Sequence, residues 1–278
     1  MARNTKVNII PALAKKRLVA FVQFDPEGGI LPHVRVHLKA LREVATRLVF
    51  VSNSPLSTDA LTFAHSLCDD VLQRENTGYD FAGWRDALAR QDMTQYDSVI
   101  LTNSSIVGPL FPLLPILDEM DAKDAAFWGM VHSLQCGSHL PSYFLSFSAR
   151  VTTSQTWTEF WSGVEMLTDK WEVIRRYEIG LTRHFEQAGF RYASYIPSPR
   201  FPKSIKIVDV ERLGGWIRLP YDVNRVGRTI RQHYELIEEG MPYLKASLLW
   251  GKDRARLTPI DRIKALDGVK YPWSEIGF

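Results

Sequence analysis

The sequence has little of what marks several common classes of protein. Its 278 residues include two cysteines, Cys68 and Cys136, and neither belongs to a CxxC pair. A disulfide framework or a zinc finger is therefore not indicated. Lys and Arg number 34 against 31 Asp and Glu, a net charge of +3. A nucleic-acid backbone attracts a much denser basic surface, so nucleic acid is not an expected partner.

Long apolar stretches are also missing. Residues 1–16 lack the apolar core of a signal peptide, and the run Leu110–Leu117 is short and contains Pro112 and Pro115. A membrane-spanning helix needs about 20 consecutive apolar residues. We therefore expect a cytoplasmic protein with no membrane span.

Charge is unevenly distributed along the chain. From Arg200 to the end there are 15 basic and 10 acidic residues. Such a basic part is typical of contact with anionic lipid headgroups or with a pyrophosphate-linked acceptor, but a solvated helix face has the same composition. The sequence leaves both interpretations open.

Short apolar segments alternate with amphipathic ones through the first hundred residues. Arg17–Phe24 is the first predicted strand, and His33–Ala45 has its apolar residues at helical spacing. The alternation continues with the strands Leu48–Val51, Asp70–Gln73 and Ser98–Leu101 and the helices Thr58–Leu67 and Phe81–Arg90. This pattern predicts an α/β fold with a mainly parallel sheet flanked by helices, whose ligands bind outside the carboxyl ends of the strands.

The rest of the chain divides less regularly. We predict the strands Ala126–Val131, Tyr143–Phe147 and Arg191–Ile196 and the helices Thr156–Leu167, Glu178–Ala188 and Val226–Glu239. Residues 1–16 are expected to form an N-terminal tail, residues 17–200 the α/β domain, and residues 201–278 a basic helical extension packed on the same domain.

The most informative segment is Arg74–Leu88, RENTGYDFAGWRDAL, in which a strand end, a glycine turn and a polar helix start follow one another. Glycine lets a backbone pass close to a ligand, and the free N–H groups at a helix start attract a diphosphate. A tight turn in which Asp80 only caps the helix has the same pattern. Both interpretations stay open at this point.

This segment resembles the hallmark of the rhamnan synthesis protein F family and, more distantly, the R-x-N-x-G turn of family 2 glycosyltransferases. Five further blocks occur in the family's order: LTNSSIVGPLFPL, FWGMVHS, HLPSYFLSF, YEIGLTRHFEQAGF and GMPYLKASLL. The resemblance extends from Leu18 to Trp250.

The resemblance implies a GT-A-like fold, with residues 17–200 as the nucleotide-sugar-binding and catalytic domain. It implies a glycosyltransferase that moves L-rhamnose from dTDP-L-rhamnose onto a growing bacterial surface polysaccharide such as rhamnan, lipopolysaccharide O-antigen or capsule. The acceptor would be a glycan or lipid-linked glycan, and other glycosyltransferases are expected neighbours. Two alternatives stay open: a UDP- or GDP-linked donor, or a non-catalytic glycan-binding module of a polysaccharide assembly complex.

By analogy with this fold, the donor-binding residues follow the strand ends. Asn53 follows the second strand and Asp25 the first, although both residue types are also turn formers. The predicted donor-binding set is Asp25, Asn53, Asn76, Gly78, Tyr79, Arg85, Asn103, Ser104 and Ser105.

The segment Thr102–Ser105 stands where enzymes of this fold carry an Asp-x-Asp motif that holds a divalent cation against the donor diphosphate. It contains no carboxylate. We therefore expect no metal ligands and no requirement for Mg²⁺ or Mn²⁺. Cationic side chains and helix N-termini would hold the diphosphate, unless a distant carboxylate substitutes.

Glu178 is the predicted catalytic base. The run Glu178–Phe190 resembles the segment in inverting family members whose first carboxylates deprotonate the acceptor hydroxyl. Asp80 is the second catalytic candidate. The alternative for Glu178 is that it opens a helix and only complements the helix dipole.

Three residues are predicted to contact the acceptor or the phosphates: His139, Trp128 and Tyr143. The spacing of His132, Cys136 and His139 also suggests a metal site, but no fourth ligand accompanies them. Aromatic residues such as Trp128 stack on sugars, although at these spacings they are more often core.

Overall fold

A computed structural model describes residues 15–135, 137–197 and 227–278. The first half contains strands β1 (Arg17–Gln23), β2 (Arg47–Ser52), β3 (Asp70–Gln73), β4 (Ser98–Asn103) and β5 (Ile106–Val107), with helices α1 (Pro32–Val44), α2 (Thr58–Leu67), α3 (Tyr79–Leu88) and α4 (Leu113–Asp121). Strands β6 (Phe127–Val131), β7 (Phe144–Ser148) and β8 (Tyr192–Ile196) follow, with helices α5 (Ala149–Thr152), α6 (Gln155–Ser162), α7 (Lys170–Val173) and α8 (Gly180–Gln187). A π-helical turn, Ile174–Ile179, joins α7 to α8.

The C-terminal part is helical with one short strand. Its helices are Arg228–Arg231, His233–Glu238, Ala246–Trp250 and Ile260–Lys264, and β9 is Leu244–Lys245. Short 3₁₀ turns occur at Met93–Gln95, Arg254–Arg256 and Trp273–Ile276. The predicted helix Val226–Glu239 is two shorter helices here, and Val226 lies outside the described residues.

The described strands form a seven-stranded sheet in the order β3-β2-β1-β4-β7-β6-β8. Strands β1, β2, β3 and β4 are parallel, β7 pairs antiparallel with both β4 and β6, and β8 is parallel to β6. The carboxyl ends of β1, β2 and β4 therefore lie at one edge of the sheet. A second, two-stranded sheet pairs β5 with β9 antiparallel.

Both faces of the sheet are covered. Every residue of the central strand β1 is therefore buried, including the polar residues Arg17 and Gln23. Helices α1, α2 and α4 pack on the face that contains Phe21 and Phe50. Helices α3, α6 and α8 pack on the opposite face. A third cluster joins β5 to the C-terminal helices through residues such as Leu244 and Leu248.

The prediction of an α/β fold with a mainly parallel sheet flanked by helices is confirmed, and the described residues 227–278 are mainly helical. Helix α2 and strand β3 have the predicted bounds. One helix start was wrong: Glu178 does not open a helix, because the helical segment begins at Lys170, where Asp169 caps it by accepting hydrogen bonds from the backbone N–H groups of Trp171 and Glu172. Within the described ranges, no helix is long and apolar enough to cross a membrane.

Candidate active site

Helix α3 is fixed against the sheet by two adjacent residues of the FAGWRD segment. The Trp84 indole N–H donates to the carbonyl oxygens of Ala20 (3.1 Å) and Thr102 (3.2 Å), on β1 and β4. A Cβ atom on Gly83 would come within 3.0 and 3.1 Å of the two Val22 methyl carbons. The absence of a side chain at Gly83 therefore lets α3 lie close to β1, and this contact sets where the first turn of α3 stands.

The glycine turn before α3 is held by the loop that follows α6. Gly78 and Tyr79 both have left-handed backbone angles, with φ of 69° and 50°. The Gly78 N–H donates to the Leu167 carbonyl at 2.8 Å, and the Tyr79 hydroxyl donates to the Thr168 carbonyl at 3.0 Å. A side chain at Gly78 would meet the Ala82 Cβ at 2.5 Å. The turn needs glycine, but the Gly78 N–H is already used inside the protein.

Asn53, predicted to grip the donor, is part of a side-chain network at the end of β2. It is 2% exposed, its carbonyl oxygen accepts from the Arg74 guanidinium at 2.9 Å, and its amide donates to Asn76 at 3.2 Å. Arg74 also bonds the Asp86 carboxylate and the Thr77 carbonyl. The structure thus brings Asn53 and Asn76 together, and Arg74, which the sequence analysis did not single out, is the centre of the network.

Arg85 is joined to this network through Asp86, whose carboxylate also bonds Arg74. Its guanidinium donates to the Asp86 carboxylate at 2.8 Å and to the Val164 carbonyl at 2.7 Å. These bonds tie α3 to the loop after α6. The contacts of Arg85 are structural, and a direct contact with a donor stays a prediction without support from its position.

Asp25 lies beside a cleft at the end of β1. Its carboxylate accepts from the backbone N–H groups of Glu27 (3.3 Å) and Gly29 (3.0 Å), which is the turn-forming role. The cleft has a volume of about 280 Å³. Its walls include the partly exposed rings of Phe24 and Trp250 together with His33 and Ser104.

The most connected part of the site joins α3, the end of β4 and β9. The Asn103 amide donates to the Asp80 carboxylate at 2.9 Å, and the Asn103 carbonyl oxygen accepts from the Ser105 backbone N–H (3.1 Å) and hydroxyl (2.6 Å). The Lys245 ammonium donates to the same Ser105 hydroxyl at 3.2 Å. These four residues form one continuous chain of hydrogen bonds. The neighbouring Ser104 is outside this chain of hydrogen bonds, and its backbone carbonyl bonds the His33 ring.

Asp80 does not cap its helix, so the capping interpretation is wrong. Gly78 occupies the N-cap position, and Asp80 is half-buried in the first turn. The pKa of Asp80 is raised to about 6, mainly by burial and also by the negative charge of Glu178. The hydrogen bond from Asn103 and the charges of Lys170 and Lys245 oppose this rise. A carboxylate with a pKa in this range exchanges protons readily near neutral pH.

Glu178 lies in the π-helical turn between α7 and α8. Its carboxylate accepts a hydrogen bond of 3.3 Å from the backbone N–H of Ser142. Such turns are rare and concentrate at functional sites because the extra residue re-aims a side chain. Since Glu178 is eight residues into a continuous helical segment, the helix-dipole alternative no longer applies to it.

Tyr143 separates Lys245 from the core. It is 2% exposed, and the Lys245 ammonium lies 4.5 Å from the centre of its ring. Burial raises the pKa of Tyr143, and so does the charge of Glu178. Within the described part of the chain, its buried hydroxyl has no hydrogen-bond partner. A buried hydroxyl in this state is a candidate contact for a bound molecule.

His139 and Trp128 have less direct roles. His139 is buried, and its ring bonds the carbonyl of Gly137 at 2.9 Å. Trp128 is 3% exposed and packs against Phe144 in the core. A ring in that position offers no face to a sugar, so the core alternative describes Trp128. Cys136 of the metal hypothesis lies outside the described residues.

The residues at the end of β4 do not fit a divalent metal. The Asn103 carbonyl oxygen already accepts two hydrogen bonds, and the Lys245 ammonium bonds the adjacent Ser105 hydroxyl. Mg²⁺ and Mn²⁺ need several free oxygen ligands. Asp80 is the one carboxylate among these four hydrogen-bonded residues, which is too few to hold such an ion. Among the residues with described positions, no three His, Cys, Asp or Glu side chains are placed to hold a metal.

Lys245 was missed by the sequence analysis. It belongs to the block GMPYLKASLL, which was recognised only as part of a resemblance. The signal for a role was weak because Lys245 is 140 residues from Ser105 and reaches it only through the pairing of β5 with β9.

Several solved structures are partly similar to this chain. Glucosyl-3-phosphoglycerate synthase from Mycobacterium tuberculosis is 14% identical, with 50% of this chain and 58% of that chain covered and a TM-score of 0.36. A cytidylyltransferase from Leptospira borgpetersenii is 12% identical, with 69% and 80% covered and a TM-score of 0.40. Likenesses at these scores add nothing to the assignment of the site.

Two relatives match in sequence. The protein y4gN of Sinorhizobium fredii is 26% identical over 191 residues, which are 66% of this chain and 50% of y4gN. The virulence protein VirA of Vibrio anguillarum is 26% identical over 199 residues, 66% of this chain and 62% of VirA. The chain thus spans about half to three fifths of the length of the curated relatives it matches.

The family comparison covers the larger part of the site. The profile described as rhamnan synthesis protein F matches residues 48–208, more than half of the chain. That range includes the Asn53 network, Asp80, Asn103 and Glu178, and it confirms the resemblance found in the sequence. The chain belongs to the rhamnan synthesis protein F family.

Proposed function

We propose that this protein is a glycosyltransferase that moves L-rhamnose from dTDP-L-rhamnose onto a growing bacterial surface polysaccharide, with inversion at the sugar. The family supports polysaccharide synthesis, since its description is rhamnan synthesis. The observation that carries the proposal is the meeting of Asp80, Asn103 and Ser105 at the carboxyl end of β4. Ligands of such sheets bind at this edge.

In this proposal Glu178 is the general base. The acceptor hydroxyl gives its proton to the Glu178 carboxylate while its oxygen bonds to the anomeric carbon of the donor. The bond from that carbon to the diphosphate oxygen breaks, and its electron pair leaves with the nucleoside diphosphate. A single base suffices because the acceptor attacks from the face opposite to the leaving group. The hydrogen bond from the Ser142 N–H fixes the carboxylate that takes the proton.

The proposed donor site uses six of the nine predicted donor-binding residues. Asn53, Asn76 and the turn at Gly78 and Tyr79 line the ends of β2 and β3 for the nucleoside, and Asn103 with Ser105 lies next to the diphosphate. Residues 17–200 would bind donor and acceptor, and the extension 201–278 would complete the site. A glycan or lipid-linked glycan is the proposed acceptor, at the cytoplasmic face of the inner membrane, and the excess of 15 basic over 10 acidic residues from Arg200 onward supports that location.

The test is a binding panel followed by transfer. Thermal shift with dTDP, UDP, GDP and the corresponding nucleotide sugars should show the largest stabilisation with the dTDP compounds, because a ligand of the native state stabilises it in proportion to the logarithm of its concentration over its dissociation constant. Rhamnose transfer to a polysaccharide acceptor should follow. A preference for UDP or GDP sugars would show that the donor is not dTDP-L-rhamnose. Glycan binding without binding of any nucleotide sugar would favour a non-catalytic binding module.

A further inference from the structure

Lys245 lies in the candidate site but has no role in the function proposed above. It lies on β9, and the antiparallel pairing of β9 with β5 sets it opposite Ile106, three residues beyond Asn103. Its neighbours Leu244 and Leu248 are buried in the C-terminal cluster, which fixes the strand. The ammonium group therefore has a defined position beside the end of β4. Enzymes of this fold with an Asp-x-Asp motif hold their metal ion at that place.

Lys245 faces negative charge without being neutralised by contact. Burial, the largest effect, lowers the pKa of Lys245 from its ordinary value, as does Lys170, while the charges of Glu178 and Asp80 oppose this and favour the protonated form. Across the described ranges, no carboxylate oxygen lies within 4.0 Å of its ammonium, which donates one hydrogen bond, to the Ser105 hydroxyl. An ammonium has three N–H donors. Two of them are available to a ligand.

A diphosphate in this site needs such a cation. It would add negative charge next to Asp80 and Glu178, and like charges in a partly buried site repel strongly. The end of β4 does not fit a metal ion, because the Asn103 carbonyl oxygen is occupied by Ser105 and the ammonium already bonds the Ser105 hydroxyl. The positive charge must therefore come from the protein.

We propose that the Lys245 ammonium binds the diphosphate of the donor and stabilises the charge on the leaving nucleoside diphosphate, in place of a divalent cation. This proposal rests on the proposed function. As the bond between the anomeric carbon and the diphosphate oxygen breaks, the electron pair moves onto that oxygen, and the ammonium stabilises the developing charge without being consumed. The Tyr143 ring, 4.5 Å away, and the Ser105 hydroxyl hold the ammonium in position.

The experiment compares the full-length protein with Lys245→Met and with the control Lys264→Met, whose lysine pairs with Asp261 in the helix Ile260–Lys264. Binding of inorganic pyrophosphate, dTDP, UDP, GDP and thymidine is measured by calorimetry, with and without EDTA. We expect Lys245→Met to weaken binding of pyrophosphate and of the preferred nucleoside diphosphate about 10- to 100-fold, the size expected for one charge-assisted hydrogen bond. Thymidine binding and the control should stay within about twofold of the native protein.

Further results separate this inference from the proposed function. Lys245→Arg keeps the charge and should retain more of the affinity than Lys245→Met, which a packing role would not produce. Equal diphosphate affinity in Lys245→Met and the native protein overturns the role of Lys245 alone, as does EDTA abolishing diphosphate binding by the native protein. If the native protein binds none of the nucleoside diphosphates, the proposed function is contradicted as well. Loss of thymidine and pyrophosphate binding together in a folded Lys245→Met protein would make Lys245 a structural residue.

Discussion

The Asn103 amide donates a 2.9 Å hydrogen bond to the Asp80 carboxylate, which joins the end of β4 to the first turn of α3. The segment Thr102–Ser105 has no carboxylate of its own, so the acidic group of this site comes from the helix. That helix is held in register by the bonds of Trp84 to β1 and β4. The hallmark segment of the family thereby positions Asp80 as well as forming the glycine turn.

Replacing Asp80 by asparagine should stabilise the protein at neutral pH. Folding raises the pKa of Asp80 from 3.8 to about 6, mainly by burial. The protonated form therefore favours the folded state, and this stability is fully present below pH 3.8 and lost as the pH rises through about 6. Asparagine removes the ionisation and keeps an oxygen for the Asn103 amide. The melting temperature of Asp80→Asn should thus exceed that of the native protein by an amount that grows between these two pH values and is then constant.

The matched control is Asp59→Asn, on the first turn of α2. Asp59 is exposed and pairs with Arg35 at the surface. Calorimetry from pH 4 to 8 should show no corresponding rise for this variant. A difference between Asp80→Asn and the native protein that stays the same at every pH would contradict the pKa assignment.

Transfer activity should survive removal of divalent metal. The sequence predicts this because the Asp-x-Asp motif is missing. In the structure, the Asn103 side-chain oxygen is also occupied by two hydrogen bonds from Ser105. Initial rates with dTDP-L-rhamnose, measured after dialysis against EDTA, should stay within about twofold of the untreated rate, because in our proposal cationic side chains hold the diphosphate in place of a metal ion. Complete loss that Mn²⁺ restores would mean that a carboxylate elsewhere binds a metal.

The parallel half of the fold was predictable because its signals are local. The short strand Asp70–Gln73 and the helix Thr58–Leu67 each have their sequence pattern within ten residues, and both have the predicted bounds. The direction of β7 is different. Its antiparallel pairing with β4 depends on contacts between residues more than 40 positions apart, such as Thr102 and Phe144, and no local pattern encodes them.

The site was predictable where one segment holds it and not where distant segments meet. Asp80 and Asn103 were both selected from their motifs, but their hydrogen bond was not foreseen. Lys245 and the π-helical turn at Glu178 depend on packing between the C-terminal part, β5 and α8, which the sequence does not reveal. Asn53 and Asp25 were selected as strand-end residues, and their observed hydrogen bonds to the protein leave their contact with a donor as a prediction.

Gly83→Ala should destabilise the protein and lower its activity. The new Cβ would come within 3.0 and 3.1 Å of the Val22 methyl carbons, so either Val22 or α3 must move by a few tenths of an ångström. Since Val22 is fully buried in the sheet, we expect α3 to shift. Overpacking of this kind costs about 1–3 kcal/mol. Because the shift moves Asp80 relative to Asn103, we expect transfer to fall more than the fraction of folded protein does. Chemical denaturation and initial rates on the same samples measure both effects.

The control for this variant is Gly180→Ala. Gly180 begins α8, and an added Cβ would meet only the Arg175 carbonyl, at an ordinary 3.7 Å. Alanine is favoured over glycine in a helix by about 0.5–1 kcal/mol, so stability should rise. If Gly83→Ala were as stable as the native protein, the close approach of α3 to β1 would not be what fixes the helix.

Glu178→Gln tests the general base directly, because the substitution keeps the size of the side chain and its hydrogen bond and removes only its charge, which also acts on Asp80 and Lys245. The recorded hydrogen bond of its carboxylate is accepted from the Ser142 N–H, and a glutamine oxygen accepts it equally. Glu178 lies within a continuous helical segment, so its charge does not stabilise a helix start. The variant should therefore fold with unchanged stability and bind the nucleotide sugar as the native protein does.

Transfer, by contrast, should fall about 10²- to 10⁴-fold in Glu178→Gln, the usual contribution of a general base, because an amide cannot take the proton of the acceptor hydroxyl. The loss should appear in kcat, with the donor dissociation constant unchanged. Glu186→Gln, an exposed position on the same helix, should transfer at the native rate. Asp80→Asn distinguishes the two carboxylates: a comparable loss in Asp80→Asn together with native transfer by Glu178→Gln would make Asp80 the base. In that case the native rate should also fall below the Asp80 pKa of about 6, where Asp80 binds a proton before the acceptor can give it one.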